Sequence, residues 1–172
     1  MATSVQIPVK EYLHTSYRPD REYIDGEVRE RNVGKYEHAR IQSLLTIWFG
    51  TQEKSWNAMV LTEQRIQVSP FRVRIPDVAL VPRKPQPDVL VDPPLLVIEI
   101  LSPDDTYSDT QERATDYRNM GVETIWIIDP KTRSGRMCIN DSWVASDRLE
   151  LRNTPIYVDL KLLFEQFDNP GQ

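Results

Sequence analysis

The sequence has very few of the residues on which several common functional sites depend. It contains one cysteine, Cys138, so no disulfide bond can form within the chain. Its two histidines, His14 and His38, are too few for a typical zinc site and argue against a Ser-His-Asp triad. Neither the GxGxxG pattern nor a P-loop occurs. These absences leave carboxylates and basic side chains as the main candidates for chemistry.

Long apolar segments are also missing. No stretch of about 18 or more apolar residues occurs, so no membrane span is expected. The N-terminus lacks the charged start and apolar core of a signal peptide, and the cytoplasm is therefore the expected location. The net charge of -5 provides no overall attraction for nucleic acid or an anionic membrane, although 21 Lys and Arg leave room for a local basic patch.

Length and composition favour one globular domain. The chain has 172 residues, of which 40% are apolar and 27% are charged, which is typical of a folded protein with its own core. We predict a single domain over residues 1–172, with its core at about 20–130 and hairpins and a closing helix at 131–168.

The spacing of apolar residues predicts an α/β fold. Apolar residues recur at three- and four-residue steps between 41 and 49 and predict a helix there. A second helix is expected from about Thr106 to Met120, between apolar strands at 95–101 and 122–128. A helix between two strands implies a parallel crossover. The expected architecture is a central mixed β-sheet flanked by helices.

The remaining elements are predicted from turn residues and short apolar runs. Asp25-Gly26 predicts a two-residue hairpin turn. The other expectations are a helix at 9–17, strands at 58–68 and 72–81, a proline-rich loop at 82–94, turns at Ser134-Gly135 and Asn140-Asp141, and a helix at 159–166.

Two acidic residues stand in apolar runs that predict buried strands. Residues 95–101 are apolar except for Glu99, and residues 73–81 place Asp77 among hydrophobic residues. A buried carboxylate costs several kcal/mol without a partner, so the pair predicts a cation held between the two strands. Mg²⁺ or Mn²⁺ is expected, with the backbone carbonyl of Ile100 as a third ligand. The alternative is that Asp77 lies at a strand end and Glu99 pairs with a buried arginine.

Other residues have both a functional and a structural interpretation. His38 lies on the apolar stripe of its helix, and it either contacts metal or phosphate or is a hydrogen-bonded core histidine. Arg113 either lies at the rim of the site or forms a surface pair with Asp109. Two basic groups are candidate nucleic-acid surfaces or ordinary solvated faces: Arg29, Arg31, Lys35 and Tyr36, and Arg72, Arg74, Arg83 and Lys84.

Several of these stretches together resemble the Uma-type restriction endonuclease family, within the PD-(D/E)XK nuclease superfamily. The resemblance covers about Tyr12 to Asp129, and His38 is part of it. The stretches are Glu22-Tyr23-Ile24-Asp25-Gly26-Glu27, Ile75-Pro76-Asp77-Val78, Val97-Ile98-Glu99-Ile100-Leu101-Ser102-Pro103, Tyr117, Gly121-Val122 and Ile125-Trp126-Ile127-Ile128-Asp129-Pro130.

The resemblance implies a restriction-endonuclease-like core and Mg²⁺-dependent hydrolysis of DNA, with Asp77 and Glu99 as the two superfamily acids. Leu101 stands where the superfamily usually has lysine. The Uma-type family moves that lysine to the next helix, four residues before the tyrosine, and here that position is Arg113. Arginine stays protonated and cannot take a proton from water, but it can stabilise negative charge on a phosphate.

Three functions therefore remain open from the sequence. The leading one is a homodimeric endonuclease with Asp77, Glu99, Arg113 and His38 at its site. The second is a nuclease-fold protein that binds nucleic acid but has lost cleavage. The third is a structural domain in which a buried arginine neutralises Glu99.

Overall fold

The computed structural model describes residues 6–32, 34–139 and 141–171. The helices are α1 (Val9–Leu13), α2 (Tyr36–Gly50), α3 (Glu53–Trp56), α4 (Tyr107–Met120) and α5 (Leu160–Asp168). The strands are β1 (Glu22–Ile24), β2 (Glu27–Arg29), β3 (Ala58–Thr62), β4 (Ile66–Ser69), β5 (Arg72–Arg74), β6 (Val78–Pro82), β7 (Leu96–Ile100), β8 (Ile125–Asp129), β9 (Ser134–Ile139), β10 (Ser142–Ala145), β11 (Arg148–Glu150) and β12 (Tyr157–Asp159).

The centre of the fold is a six-stranded mixed sheet in the order β10-β9-β8-β7-β6-β3. Strands β7 and β8 are parallel and α4 connects them, as the sequence predicted. The other neighbours in this sheet are antiparallel. Helices flank the sheet, and the predicted α/β class with a central mixed sheet is confirmed.

Both faces of the central strands are buried. On one face Ile98 and Trp126 lie in a core cluster with Phe49 of α2 and Leu163 of α5. On the other face the neighbouring strand residues pack with Ala114 and Tyr117 of α4, in a second cluster that contains Val97 and Ile125. Because successive residues of a strand point to opposite faces, burial on both sides requires the continuous apolar runs seen in β7 and β8.

A second, antiparallel sheet in the order β2-β1-β5-β4 lies beside the first. The predicted hairpin is confirmed, with Asp25 at φ 51° and Gly26 at φ 100° between β1 and β2. Positive φ at both central residues is what a two-residue hairpin requires. This sheet carries Glu22 on β1 and Arg74 on β5, and both side chains are buried.

The long strands predicted at 58–68 and 72–81 are wrong as single elements. Each is divided into two strands, and its halves belong to different sheets. Glu63 adopts a left-handed conformation (φ 50°) directly after β3, and Pro76, which has no N–H to donate, separates β5 from β6. Asp77 therefore lies at a bend just before β6, and not inside a strand.

The predicted turn at Ser134-Gly135 is also wrong. Both residues belong to β9, where Ser134 pairs with Asp129 and Gly135 with Ile128. A Cβ at Gly135 would lie 2.5 Å from a methyl carbon of Leu160, so any larger residue here would require that buried side chain to move. The turn at Asn140-Asp141 lies partly outside the described residues, since Asn140 is not described.

The helix predictions are confirmed with shifted ends. The first helix ends at Leu13, four residues before the predicted end, and the last runs to Asp168. Helix α4 begins with a capping box in which Thr106 and Asp109 satisfy each other's backbone N–H groups, and it ends at left-handed Gly121.

Candidate functional site

The ends of two neighbouring strands bring the predicted acids to one pocket. Asp77 precedes β6, Glu99 and Ile100 end β7, and Val78 pairs with Ile98 in antiparallel register. We call this the Asp77–Glu99 pocket. It is lined by Arg31, Asn32, His38, Asp77, Glu99, Ile100, Ser102, Asp105 and Arg113. All five residues named from the sequence as metal or catalytic candidates therefore lie together.

Asp77 is buried and is held by three donors. Its Oδ1 accepts a hydrogen bond from Arg31 Nη2 at 3.1 Å. Its Oδ2 accepts from the backbone N–H of Ile100 at 2.8 Å and lies 3.1 Å from His38 Nε2. In an extended strand the N–H and C=O of one residue point to the same edge, so the Ile100 carbonyl faces the Asp77 side of β7.

Glu99 is buried with far less compensation. Its Oε1 accepts a hydrogen bond from the Tyr117 hydroxyl at 2.8 Å, and its Oε2 lies 4.0 Å from Arg113 Nη1. The pKa of Glu99 is raised to about 8, chiefly by burial; Arg113 lowers this pKa, and the charges of Asp77 and Glu22 raise it. Glu99 is therefore a carboxyl group that lacks sufficient positive charge around it.

Arg113 points from α4 into the pocket. Its guanidinium lies 3.4 Å from Asp105 and 4.0 Å from both Glu99 and Glu22. Burial alone would lower the pKa of Arg113, but the surrounding acids outweigh it and the net shift is upward. The surface pair with Asp109 is not formed, because Asp109 accepts a hydrogen bond from Thr106 at the start of the helix.

His38 lies in the first turns of α2, on the side that faces Asp77. Burial lowers the pKa of His38, but the hydrogen bond and charge of Asp77 outweigh burial and raise the pKa overall. Asp77 therefore makes protonation of His38 easier than in a free histidine. Gln42, one turn later on α2, donates to the backbone carbonyl of Asp77 at 2.9 Å.

Sequence reasoning missed the buried ionic partners around the pocket. Arg74 forms ion pairs with Glu22 at 2.8 Å and with Asp116 at 2.7 Å. Arg74 is only 3% exposed, so it lies neither on a nucleic-acid surface nor on a solvated face, and both interpretations of this residue are wrong. Arg74 stands between Val73 and Ile75, and the reasoning that identified Asp77 in the same apolar run would have identified this arginine too.

The Asp77–Glu99 pocket has few side chains that could coordinate a metal ion. Within the described ranges, no group of three His, Cys, Asp or Glu side chains is arranged to hold a metal ion. Besides Asp105, whose oxygens accept hydrogen bonds from Asn32 and Ser102, the pocket offers two carboxylates and one backbone carbonyl, which are oxygen donors that Mg²⁺ accepts while it keeps several waters.

The match to a protein-family model covers the residues that line this pocket. The model described as "Uma2: Putative restriction endonuclease" matches residues 9–157. This chain belongs to the Uma2 family. Among solved structures, a "putative nuclease belonging to DUF820" from Anabaena variabilis ATCC 29413 is 21% identical and covers 92% of this chain and 98% of its own, with a TM-score of 0.79. That likeness shows that the Uma2 chain and the Anabaena protein share a fold.

A weaker match is the cryo-EM structure of a DrdV–DNA complex. It is 18% identical and covers 75% of the Uma2 chain and 11% of its own length, with a TM-score of 0.42. No curated protein shows significant similarity to the chain. Among the described residues of this Uma2 protein, no helix is both long enough and apolar enough to cross a membrane.

Proposed function

We propose that this Uma2 protein is a Mg²⁺-dependent endonuclease that hydrolyses DNA phosphodiester bonds at the Asp77–Glu99 pocket. Membership of a family described as restriction endonucleases supports the nuclease class. The observation that carries the proposal is the meeting of Asp77, Glu99 and the Ile100 backbone in one pocket with His38 and Arg113. We also propose that the chain belongs to the PD-(D/E)XK superfamily, with Asp77 and Glu99 as its two acids.

The residues present fit a hard divalent cation. Glu99 Oε2 accepts no hydrogen bond from any described residue, and the raised pKa of this carboxyl reflects a negative charge that its neighbours do not balance. A divalent cation would supply that charge and make the ionised carboxylate favourable. Asp77, Glu99 and the Ile100 carbonyl would hold it, and Mn²⁺ is a suitable replacement for Mg²⁺.

The chain's own residues then have distinct tasks. A bound Mg²⁺ supplies polarisation of the phosphodiester and a lowered pKa of water. Arg31, His38 and the Ile100 N–H fix the orientation of the Asp77 carboxylate. Arg113 stays protonated, so it serves to stabilise negative charge on the phosphate and does not remove a proton from water. His38 assists at the rim of the pocket.

DNA is the proposed partner, and a homodimer is the proposed assembly. Two copies related by two-fold symmetry would present two equivalent pockets to the two strands of a duplex. The mass of the protein in sedimentation, with and without DNA, tests the assembly independently of cleavage. The cytoplasm stays the predicted location.

A plasmid-cleavage assay tests the proposed activity. With Mg²⁺ or Mn²⁺ the wild type should nick or linearise the plasmid, and EDTA should abolish the reaction. Glu99→Ala should lower the rate more than about 100-fold, since loss of groups that only support metal ligands already costs about 10–100-fold. Glu165→Ala, which changes an exposed glutamate of α5, should cleave like the wild type. Equal rates for Glu99→Ala and the wild type would refute the proposal.

A second function is favoured by one observation. Arg113 occupies the place of a lysine and faces Glu99, Glu22 and Asp105. A guanidinium that cannot release its proton is consistent with a nuclease fold that binds nucleic acid without cutting it. If the wild type fails to cleave and Arg113→Lys gains cleavage, this binding function replaces the first. Metal-dependent cleavage by the wild type excludes it.

A further inference from the structure

A cavity of about 210 Å³ lies directly beside the Asp77–Glu99 pocket. It is formed where the first turns of α4 pass over strands β8, β9 and β10, and we call it the α4–β9 pocket. The residues that matter for its chemistry are Asp105, Tyr107, Gln111, Arg136 and Trp143. Asp105 lines both pockets, so a strand bound at one can place a neighbouring group in the other.

Two buried hydrogen-bond donors of this cavity have no partner. They are the side-chain nitrogen of Gln111 and the indole nitrogen of Trp143. Among the described residues only four buried side-chain nitrogens or oxygens are unpaired, and these two both line the α4–β9 pocket. Leaving a buried donor unpaired costs roughly 1–3 kcal/mol, so a bound molecule whose acceptor atoms reach these two nitrogens would recover that loss.

The other lining groups favour a flat molecule with acceptor atoms. Tyr107, which is 74% exposed, and Trp143, which is half-buried, both line the cavity. Arg136 adds a cation that forms no ion pair with any described residue. Aromatic side chains stack on nucleic-acid bases, and arginine and amide groups hydrogen-bond to base edges.

The size of the cavity limits what can enter. Pockets for drug-sized ligands are about 300–1,000 Å³, so this cavity accepts a single ring system and not a dinucleotide. A base that is paired and stacked inside a duplex cannot reach a pocket of this kind. The base that enters must therefore be unpaired, either in a single strand or turned out of the duplex.

We propose that the α4–β9 pocket binds one unpaired base of the DNA strand whose backbone lies at the Asp77–Glu99 pocket. This inference rests on the proposed function, because it assigns the pocket to the same substrate. It makes the protein selective for DNA that contains unpaired bases, such as single strands or distorted duplexes.

The test is equilibrium binding of a short fluorescein-labelled oligothymidylate in EDTA, measured by fluorescence anisotropy. The reference ligand is an abasic strand of the same length, which keeps the phosphates but has no bases. The wild type should bind the thymidylate about tenfold or more tightly than the abasic strand, because stacking of one base on an aromatic side chain contributes about 1–3 kcal/mol to the binding free energy. Gln111→Leu and Trp143→Phe should each reduce that preference severalfold, because each removes an unpaired donor and keeps most of the volume.

Gln166→Leu is the matched control, since Gln166 is an exposed helical glutamine of α5 and does not line the cavity. Circular dichroism and thermal unfolding establish that each variant is folded. Equal affinity of the wild type for the two strands would overturn the pocket assignment, as would equal effects of Gln111→Leu and Gln166→Leu. Because the assay contains no metal, its outcome is separate from that of the plasmid assay. A preference for the thymidylate without plasmid cleavage would support the base-binding pocket and refute the nuclease activity. Plasmid cleavage without that preference would support the nuclease activity and refute the base-binding pocket.

Discussion

Two buried arginines of this protein lie among acids at very different distances. Arg74 contacts Glu22 at 2.8 Å and Asp116 at 2.7 Å, which are direct ion pairs. Arg113 lies 4.0 Å from Glu99 and 4.0 Å from Glu22, and its one hydrogen bond is a long one of 3.4 Å to Asp105. Both guanidinium groups lie near Glu22, yet only Arg74 forms ion pairs of 2.8 Å or shorter.

This difference in arginine–carboxylate distance distinguishes a cluster of structural ion pairs from a candidate functional site. In the Arg74 cluster, defined by Arg74, Glu22 and Asp116, two guanidinium nitrogens donate to the two carboxylates, and Arg74 Nη2 alone has no hydrogen-bond partner among the described residues. Around Arg113 the carboxylate of Glu99 keeps an unpaired oxygen and an upward-shifted pKa. An open ionic arrangement of this kind is costly for the folded state alone and is typical of binding and catalytic sites.

The largest effect on stability is expected from breaking the Arg74 cluster. Arg74→Met removes the guanidinium that Glu22 and Asp116 share, although Arg72 still contacts Asp116 at 3.0 Å, and it should lower the free energy of unfolding by about 3 kcal/mol. Arg113→Met should cost less than half as much, because Glu99 can take up a proton in place of the lost contact. Urea denaturation of the two variants measures both values. Equal losses would mean that the distances do not separate the two clusters.

A second effect concerns pH and Glu99. Its pKa is about 8 in the folded protein against an ordinary 4.5, so between these values the folded state holds a proton that the unfolded state has released. The wild type should therefore lose stability as pH rises from about 5 to about 8. Glu99→Gln removes this dependence and keeps the contribution of His38, whose raised pKa also favours the folded state at low pH.

Urea midpoints at the two pH values measure the effect. The loss on raising pH should be larger in the wild type than in Glu99→Gln by at least about 1 kcal/mol, since one unit of pKa shift is worth about 1.4 kcal/mol. Saturating Mn²⁺ should remove most of the difference, because a bound cation favours the ionised carboxylate. A smaller loss in the wild type than in the variant would contradict the assignment.

The smallest effect is expected at a surface pair of similar length. Arg21 and Glu30 lie 2.9 Å apart, but their side chains are 37% and 76% exposed. Solvent screens such a pair, and Glu30→Ala should change the free energy of unfolding by less than about 1 kcal/mol. If Glu30→Ala costs as much as Arg74→Met, then distance alone, and not burial, would decide the strength of these pairs.

The parts of the fold that were predictable depend on local pattern. The stripe of Ile41, Leu45 and Phe49 and the apolar run of β7 fix which face of each element is buried, and both were predicted. The division of 58–68 and 72–81 between two sheets was not predictable in this way. It depends on which distant strands pair, such as β3 with β6 and β4 with β5, and no local period encodes that choice.

The residues of the Asp77–Glu99 pocket also divide into those that a local sequence pattern predicts and those that only the fold brings together. Asp77 and Glu99 were identifiable because each acid stands in an apolar sequence, and a buried charge needs an explanation. The contact of Arg31 with Asp77 joins residues 46 positions apart and could not be found without the fold. The unpaired donors Gln111 and Trp143 left no sequence signal either, since each is ordinary in its own helix or strand.

Isothermal titration of the metal-free protein with Mn²⁺ tests most directly whether Asp77 and Glu99 hold a cation together. The wild type should bind about one ion per chain, and Glu99→Gln and Asp77→Asn should each abolish the binding heat, while Glu165→Gln leaves it unchanged. Wild-type protein that takes up no Mn²⁺, or a Glu99→Gln variant that binds it with unchanged affinity, would contradict the account.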